Sequence, residues 1–117
     1  MKKFVSAVVV VLLISSAGSA YSMCVYNRTE QMMHVAFCDY SKGGGFCDQW
    51  YISKSDHKCK TGRDGEVRVY KSGAMKCLTE VDKHGWVNIT FEDNKKYILL
   101  KSYRENGSVR HSCSSEW

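Results

Sequence analysis

The chain has 117 residues with 17 basic and 12 acidic side chains, a formal net charge of +5. This length leaves room for a single small domain, and so modest a charge makes a nucleic-acid partner an unfavoured assignment. Six cysteines and no proline indicate a chain whose loops are rigidified by disulfides rather than by fixed φ angles.

Residues 1–22 have the three-part pattern of a secretory signal peptide: two lysines, a short apolar run and a stretch of small residues. The apolar run is shorter than the roughly 20 residues that a membrane-spanning helix needs. We expect cleavage after Ala20 or after Ser22, secretion to the extracellular space, and one domain over residues 23–117. Loss of the two lysines leaves 15 basic and 12 acidic residues, a mature charge of +3 (15 − 12).

The first half of the mature region contains three runs that are typical of short β-strands. Residues 23–26 and 50–52 are brief runs of apolar and aromatic side chains. Residues 32–40 alternate between two faces, as a half-buried strand does, and this pattern directs His34 away from the core.

Residues 66–70 give the clearest amphipathic pattern in the chain. Val67 and Val69 alternate with polar or amphipathic neighbours, which predicts a strand with both valines inward. Residues 75–81 follow a Ser-Gly break and are predicted to form the next strand.

A hairpin over residues 84–103 is predicted to be the central element, because two β-rich runs flank a polar turn. Residues 97–100 are apolar on both faces, which predicts a central strand covered on both sides. Asn106 and Gly107 are a strong turn signal, so residues 109–113 should return alongside the hairpin.

These elements predict an all-β fold, a small antiparallel β-sandwich of seven or eight short strands stapled by disulfides. No mature segment has helical periodicity. The predicted core residues are Val35, Phe37, Val67, Val69, Val87, Ile89, Phe91 and Leu99.

An even number of cysteines in a short exported chain predicts three disulfides and no free thiol for metal binding or catalysis. Six cysteines allow 15 pairings, of which we favour Cys38–Cys47, Cys59–Cys77 and Cys24–Cys113. The cysteines are Cys24, Cys38, Cys47, Cys59, Cys77 and Cys113.

Three asparagines lie in N-glycosylation sequons: Asn27, Asn88 and Asn106. If these sequons are used, the chain passes through a eukaryotic secretory route. In a bacterial exported protein the same triplets carry no meaning, and the two lysines near the start suit that origin equally well.

Two segments are locally basic, residues 57–76 and residues 95–111, and they define a possible binding face for an anionic polymer or membrane. The alternative is ordinary charge on sheet edges, which prevents edge-to-edge pairing. The residues of this possible face are Lys58, Lys60, Arg63, Lys71, Lys95, Lys96, Lys101 and Arg104, with Tyr70, Tyr97 and Tyr103 interleaved.

Four histidines, His34, His57, His84 and His111, raise the possibility of a small ribonuclease with two histidines as general acid and base. No metal-binding or nucleophile motif accompanies them, so exposed histidines without a catalytic role are the favoured interpretation. Trp50 and Trp86 are expected to be partly buried in strands, and Trp117 to be either docked beside Cys113 or exposed to a partner.

The favoured function is a secreted, non-enzymatic binding or effector protein that acts at an extracellular surface on a partner protein or glycan. Its contacts are expected in two predicted loops, residues 41–46 and 53–65, without cofactor or metal. The alternatives are a toxin-like or antimicrobial protein that acts on anionic membranes, and the histidine-dependent ribonuclease.

Overall fold

A computed structural model describes residues 22–40 and 47–117 of the chain. Residues 1–21 of the predicted signal peptide and the predicted loop 41–46 lie outside these ranges. The described part contains nine strands and no helix: β1 Ser22–Asn27, β2 Met33–Asp39, β3 Cys47–Ile52, β4 His57–Thr61, β5 Gly65–Lys71, β6 Ala74–Val81, β7 Trp86–Glu92, β8 Tyr97–Tyr103 and β9 Val109–Glu116.

The strands form two sheets that pack face to face. The five-stranded sheet has the order β4-β1-β7-β8-β9, and the four-stranded sheet has the order β3-β2-β5-β6. Strand β6 packs over β8 and β9, and β3 lies beside β4. The predicted all-β sandwich is therefore confirmed, with nine strands instead of seven or eight and one parallel pair, β1 with β7, among antiparallel neighbours.

The core lies between the sheets and is built by period-two alternation along each strand. In β5, Val67 and Val69 are completely buried while the residues between them are half-buried on the outer face. Six of the eight predicted core residues are buried, and Phe91 is half-buried and packs against the core.

Leu99 is a correction to the predicted core. It is half-buried on the outer face of β8, whereas its neighbours Ile98 and Leu100 are completely buried. The turn between β7 and β8 sets a register that pairs Leu100 with the inward-facing Ile89. Strand β8 is central in its sheet, but only one of its faces is covered, which also corrects the expectation of burial on both sides.

Strand β4 was predicted to be part of a loop. It is an edge strand, and its residues are exposed or half-buried, so its sequence lacks the apolar alternation that marks a strand with one face in the core. Lysines on an edge strand also discourage pairing with another chain.

The six cysteines form three disulfides, as predicted, but Cys38–Cys47 is the one bridge whose pairing was predicted correctly. The other two bridges are Cys24–Cys59 and Cys77–Cys113. Because β1 pairs with β4, Cys24 lies directly opposite Cys59. Cys77 on β6 and Cys113 on β9 join the two sheets, whereas each of the other bridges links neighbouring strands of one sheet.

Candidate binding surface

Four side chains form a row across the outer face of the four-stranded sheet, one from each strand. His34 on β2 pairs with Tyr51 on β3 and with Tyr70 on β5, and Tyr70 pairs with Met75 on β6. The His34 ring stacks on Tyr51 with centroids 4.6 Å apart and contacts the Tyr70 ring at 5.1 Å. We call this set, Tyr51, His34, Tyr70 and Met75, the cross-strand row.

Polar neighbours fix the orientation of side chains in the cross-strand row. His34 Nε2 and Gln49 Oε1 are 2.7 Å apart, which fixes the imidazole between the two tyrosines. The neighbouring Tyr70 and Glu66 raise the pKa of the Arg68 guanidinium group, and Arg68 Nε donates a 3.0 Å hydrogen bond to Glu66. The row is thus an ordered set of side chains and not a group of independent rotamers.

Exposed apolar side chains are concentrated on this face. The large exposed hydrophobic residues among the described positions are Met32 (60%), Tyr51 (64%), Met75 (52%), Tyr40 (47%) and Val109 (46%). Tyr51 and Met75 belong to the row, while Met32 and Tyr40 flank β2 on the same outward parity as His34. Only Val109 belongs to the five-stranded sheet.

A cleft of about 380 Å³ lies where the edge strands β3 and β4 meet. We call it the edge cleft. Its lining residues are Gln49, Trp50, Tyr51, Ile52, Asp56, His57 and Lys58. His34 covers one face of the Tyr51 ring, and Tyr51 also contributes to the wall of the cleft.

The turn that carries Asp56 is fixed by the buried side chain of Asn27. Asn27 Nδ2 donates to the carbonyl oxygens of Gln31 (2.8 Å), Ile52 (3.0 Å) and Ser53 (3.1 Å). Its Oδ1 accepts hydrogen bonds from the backbone N–H and the hydroxyl of Thr29. The backbone N–H of Asn27 in turn donates to the carbonyl of Asp56 at 2.9 Å.

A glycan on Asn27 stays a prediction, and this geometry argues against it. The residue is completely buried, and a glycan on Nδ2 would replace a hydrogen that this nitrogen donates inside the fold. The Asn27-Arg28-Thr29 triplet is a side-chain-to-backbone turn, a motif that asparagine favours.

The other two sequons are differently placed. Asn106 is exposed in the β8–β9 turn, where its Oδ1 accepts hydrogen bonds from the N–H and hydroxyl of Ser108. Asn88 is half-buried on the outer face of β7. A glycan at either position stays a prediction.

The eight residues of the possible basic face do not share one surface. Arg63 and Lys71 flank opposite ends of β5, Lys95 and Lys96 precede β8 while Arg104 follows it, Lys101 lies within β8, and Lys58 and Lys60 lie on β4. Of the interleaved tyrosines, Tyr70 belongs to one sheet and Tyr97 and Tyr103 to the other.

Several of these cations are also engaged within the molecule. Lys60 pairs with Asp48, Arg63 lies 3.9 Å from Asp39, and Lys71 donates to the carbonyl of Trp117 at 2.7 Å. The local excess of positive charge in the sequence therefore does not become a continuous basic stripe.

The four histidines lie on four different elements. His34 belongs to the cross-strand row, His57 on β4 stacks on Tyr26 with centroids 5.3 Å apart, and His84 lies in the turn before β7. His111 Nδ1 is 2.8 Å from the hydroxyl of Thr79. That hydroxyl and the neighbouring Ser102 belong to completely buried residues, so this polar cluster offers no exposed nucleophile to a substrate.

The tryptophans are mostly part of the packing. Trp50 stacks on the buried Phe37 with centroids 6.0 Å apart, and Trp86 stacks on Tyr103. Trp117 contacts Phe91 edge to face and, like Cys113, packs against the core, which selects the docked alternative for this residue.

Within residues 22–40 and 47–117 there is no group of three or more histidine, cysteine, aspartate or glutamate side chains placed to bind a metal ion. The same residues include no helix long and apolar enough to cross a membrane.

The site residues that sequence reasoning missed are Tyr51, Met75 and Met32. Alternation along each strand indicates which side chains point outward, but the register that aligns residues of four strands is not visible in one sequence. No protein family, curated protein or solved structure matches this chain.

Proposed function

We propose that the protein is a secreted, non-enzymatic binding protein whose partner at an extracellular surface is another protein. The cross-strand row together with Met32 forms its docking face. The observation that most supports it is that, of the five large exposed hydrophobic residues among the described positions, Tyr51 and Met75 lie on the four-stranded sheet and Met32 and Tyr40 directly flank its strand β2. Exposed apolar patches of this kind mark interaction sites.

The chemistry of the docking face favours a protein over a glycan. Between the strands of the docking face, the His34 ring lies against Tyr51 and Tyr70, so this part of the row leaves no open ring face on which a sugar could stack. Met32 and Met75 are flexible apolar side chains, and tyrosine, methionine and arginine are enriched in protein interfaces. Arg68, which lies on the same face of β5 as Tyr70, adds to this composition.

Export is supported by two independent features. The three disulfides use every cysteine of the chain, and such bridges persist in oxidising compartments. The sequence before β1 has the signal-peptide pattern. An action on anionic membranes receives less support, because the basic residues are dispersed and partly paired.

The test measures binding of the labelled mature protein to a panel of intact cells, with and without protease treatment of the cell surface. The docking-face variant is Tyr70→Ala/Met75→Ala, and both residues lie outside the lining of the edge cleft. Its matched control is Tyr97→Ala/Leu99→Ala, which removes a tyrosine and an aliphatic side chain from the outer face of the five-stranded sheet.

We expect saturable binding that is lost after protease treatment of the cells. The docking-face variant should bind at least about tenfold more weakly, or ~1.4 kcal/mol. The control variant should bind like the wild type. Equal binding by both variants contradicts the proposal, as does a lack of saturable binding across the panel. Salt-sensitive adsorption to anionic but not neutral vesicles would favour the membrane alternative, and RNA cleavage would favour the ribonuclease.

A further inference from the structure

The edge cleft combines one aromatic wall with polar groups of both charge signs. Tyr51 is strongly exposed, its ring stacks on His34 through one face, and the residue also lines the cleft. Asp56 and Lys58 supply an anion and a cation, and Gln49 and His57 supply further hydrogen-bonding groups. We propose that the edge cleft is a second binding site, which adjoins the docking face and shares Tyr51 with it, and that it takes a neutral saccharide ring.

The set of groups fits a polyhydroxylated ring better than it fits a charged ligand. A sugar presents apolar C–H groups on one face, which pack on an aromatic ring, and hydroxyl groups around its rim, which both donate and accept hydrogen bonds. A carboxylate only accepts and an ammonium group only donates, so Asp56 and Lys58 together serve both kinds of hydroxyl contact. Their opposite charges give no preference for an anion or a cation.

The cleft is also of suitable size and is preorganised. Its volume of about 380 Å³ lies at the small end of the range for small-molecule sites, roughly 300–1,000 Å³. The Asp56 carboxylate accepts a 2.8 Å hydrogen bond from the N–H of His57, and the His57 ring is stacked on Tyr26. Asn27 anchors the turn itself. Groups held in place before binding lose less entropy when a ligand arrives.

The side chains of the cleft remain reachable from solvent. The side chain of Asp56 is 62% exposed and that of His57 is 55% exposed. Lys58, unlike Lys60 next along β4 on the same parity, forms no ion pair within residues 22–40 and 47–117. The polar wall can therefore exchange its water for ligand hydroxyls without first breaking a salt bridge to another strand.

The test is a nuclear magnetic resonance titration of the isotopically labelled mature protein with free neutral hexoses, N-acetylhexosamines and their disaccharides. Sugar concentrations up to about 50 mM detect millimolar affinity, which corresponds to about −4 kcal/mol. We expect saturable shifts of the backbone amides over residues 49–58, and little change on β8 and β9.

Two variants separate this site from the docking face. Asp56→Asn keeps the shape of the cleft but removes its anionic acceptor, and we expect it to raise the saccharide Kd about tenfold, or ~1.4 kcal/mol, without changing binding to the protein partner. Met75 lies outside the cleft lining. Met75→Ala should therefore weaken binding to the protein partner and leave the saccharide Kd unchanged.

Three outcomes overturn the inference: no saturable shift with any sugar of the panel, shifts that map away from residues 49–58, or an Asp56→Asn variant that binds sugar like the wild type. None of these outcomes bears on the docking face, whose own test uses protease-sensitive binding to cells.

Discussion

A single amide side chain joins the end of β1 to two other parts of the chain. Asn27 bonds to the segment before β2 through Gln31 and Thr29, and to the β3–β4 turn through Ile52 and Ser53. Because the turn carries Asp56, this buried residue also positions one wall of the edge cleft.

Asn27→Ala is expected to destabilise the fold by about 2–4 kcal/mol, because one buried and two part-buried carbonyl groups lose their donor and each unsatisfied buried group costs about 1–3 kcal/mol. In a domain of this size, the loss corresponds to a Tm drop on the order of 10–20 °C. The measurement is thermal and urea unfolding followed by circular dichroism.

The matched control for this variant is Asn106→Ala, which removes an exposed asparagine that bonds only within its own turn. It should change the stability by less than about 1 kcal/mol. If the two variants melt within a few degrees of each other, the structural role assigned to Asn27 is wrong.

The same burial predicts which sequon a glycosylating host can use. When the protein is secreted from eukaryotic cells, Asn106 should carry a glycan and folded material should not carry one on Asn27, because Nδ2 of Asn27 is completely enclosed. Intact mass before and after enzymatic deglycosylation, followed by peptide mapping, checks this. Folded, secreted protein with a glycan on Asn27 would contradict it.

At the scale of strands, the position of a strand and the burial of its residues could be predicted where apolar and polar residues alternate in the sequence. Val67 and Val69 alternate with polar residues, so both their strand and their burial followed from the sequence. Leu99 lies in an apolar run, where the sequence does not show which residues face the core. The register of the hairpin decides this, so the burial of Leu99 was predicted wrongly. Strand β4 has a polar edge sequence, so neither the strand nor its Cys24–Cys59 bridge could be recognised.

The cross-strand row shows the same limit for the candidate site. The outward direction of His34 was predicted from alternation, but its alignment with Tyr51 and Tyr70 depends on two non-local pairings. The edge cleft depends in addition on β4, which the sequence does not reveal. Individual exposed side chains could be predicted, and their assembly could not.

The three disulfides should differ in their contribution to stability according to the chain they enclose. Cys77–Cys113 joins the two sheets across a separation of 36 residues, whereas Cys38–Cys47 joins adjacent strands across 9. In the chain-entropy account the longer loop contributes about 1.2 kcal/mol more, roughly 3.8 against 2.6 kcal/mol.

We therefore expect Cys77→Ala/Cys113→Ala to be less stable than Cys38→Ala/Cys47→Ala, as measured by urea unfolding of the purified double variants. The second variant is the control for the loss of two cysteines as such. The reverse order of stability would show that packing strain at the strand pairs, and not loop closure, dominates these bridges.

At the scale of the whole molecule, the bridges stand on both flanks of the sandwich. Cys24–Cys59 and Cys38–Cys47 fix the strand pairs that carry the edge strands β4 and β3, and Cys77–Cys113 ties β6 to β9. The edge cleft lies beside the first two. The sandwich core is small for a domain of this size class, in which burial and chain entropy nearly cancel.

Reduction of all three disulfides is therefore expected to unfold the protein. Each bridge typically contributes 2–4 kcal/mol, and together they match the roughly 5–15 kcal/mol net stability of an ordinary domain. Thermal melts with and without reductant, combined with intact mass after thiol alkylation, measure the effect.

The oxidised protein should accept no alkylating groups. The reduced protein should accept six and lose the strand signal in circular dichroism together with both binding activities. If the reduced protein melts like the oxidised one, the two packed sheets alone hold the fold, and the bridges serve another purpose, such as resistance to proteolysis outside the cell.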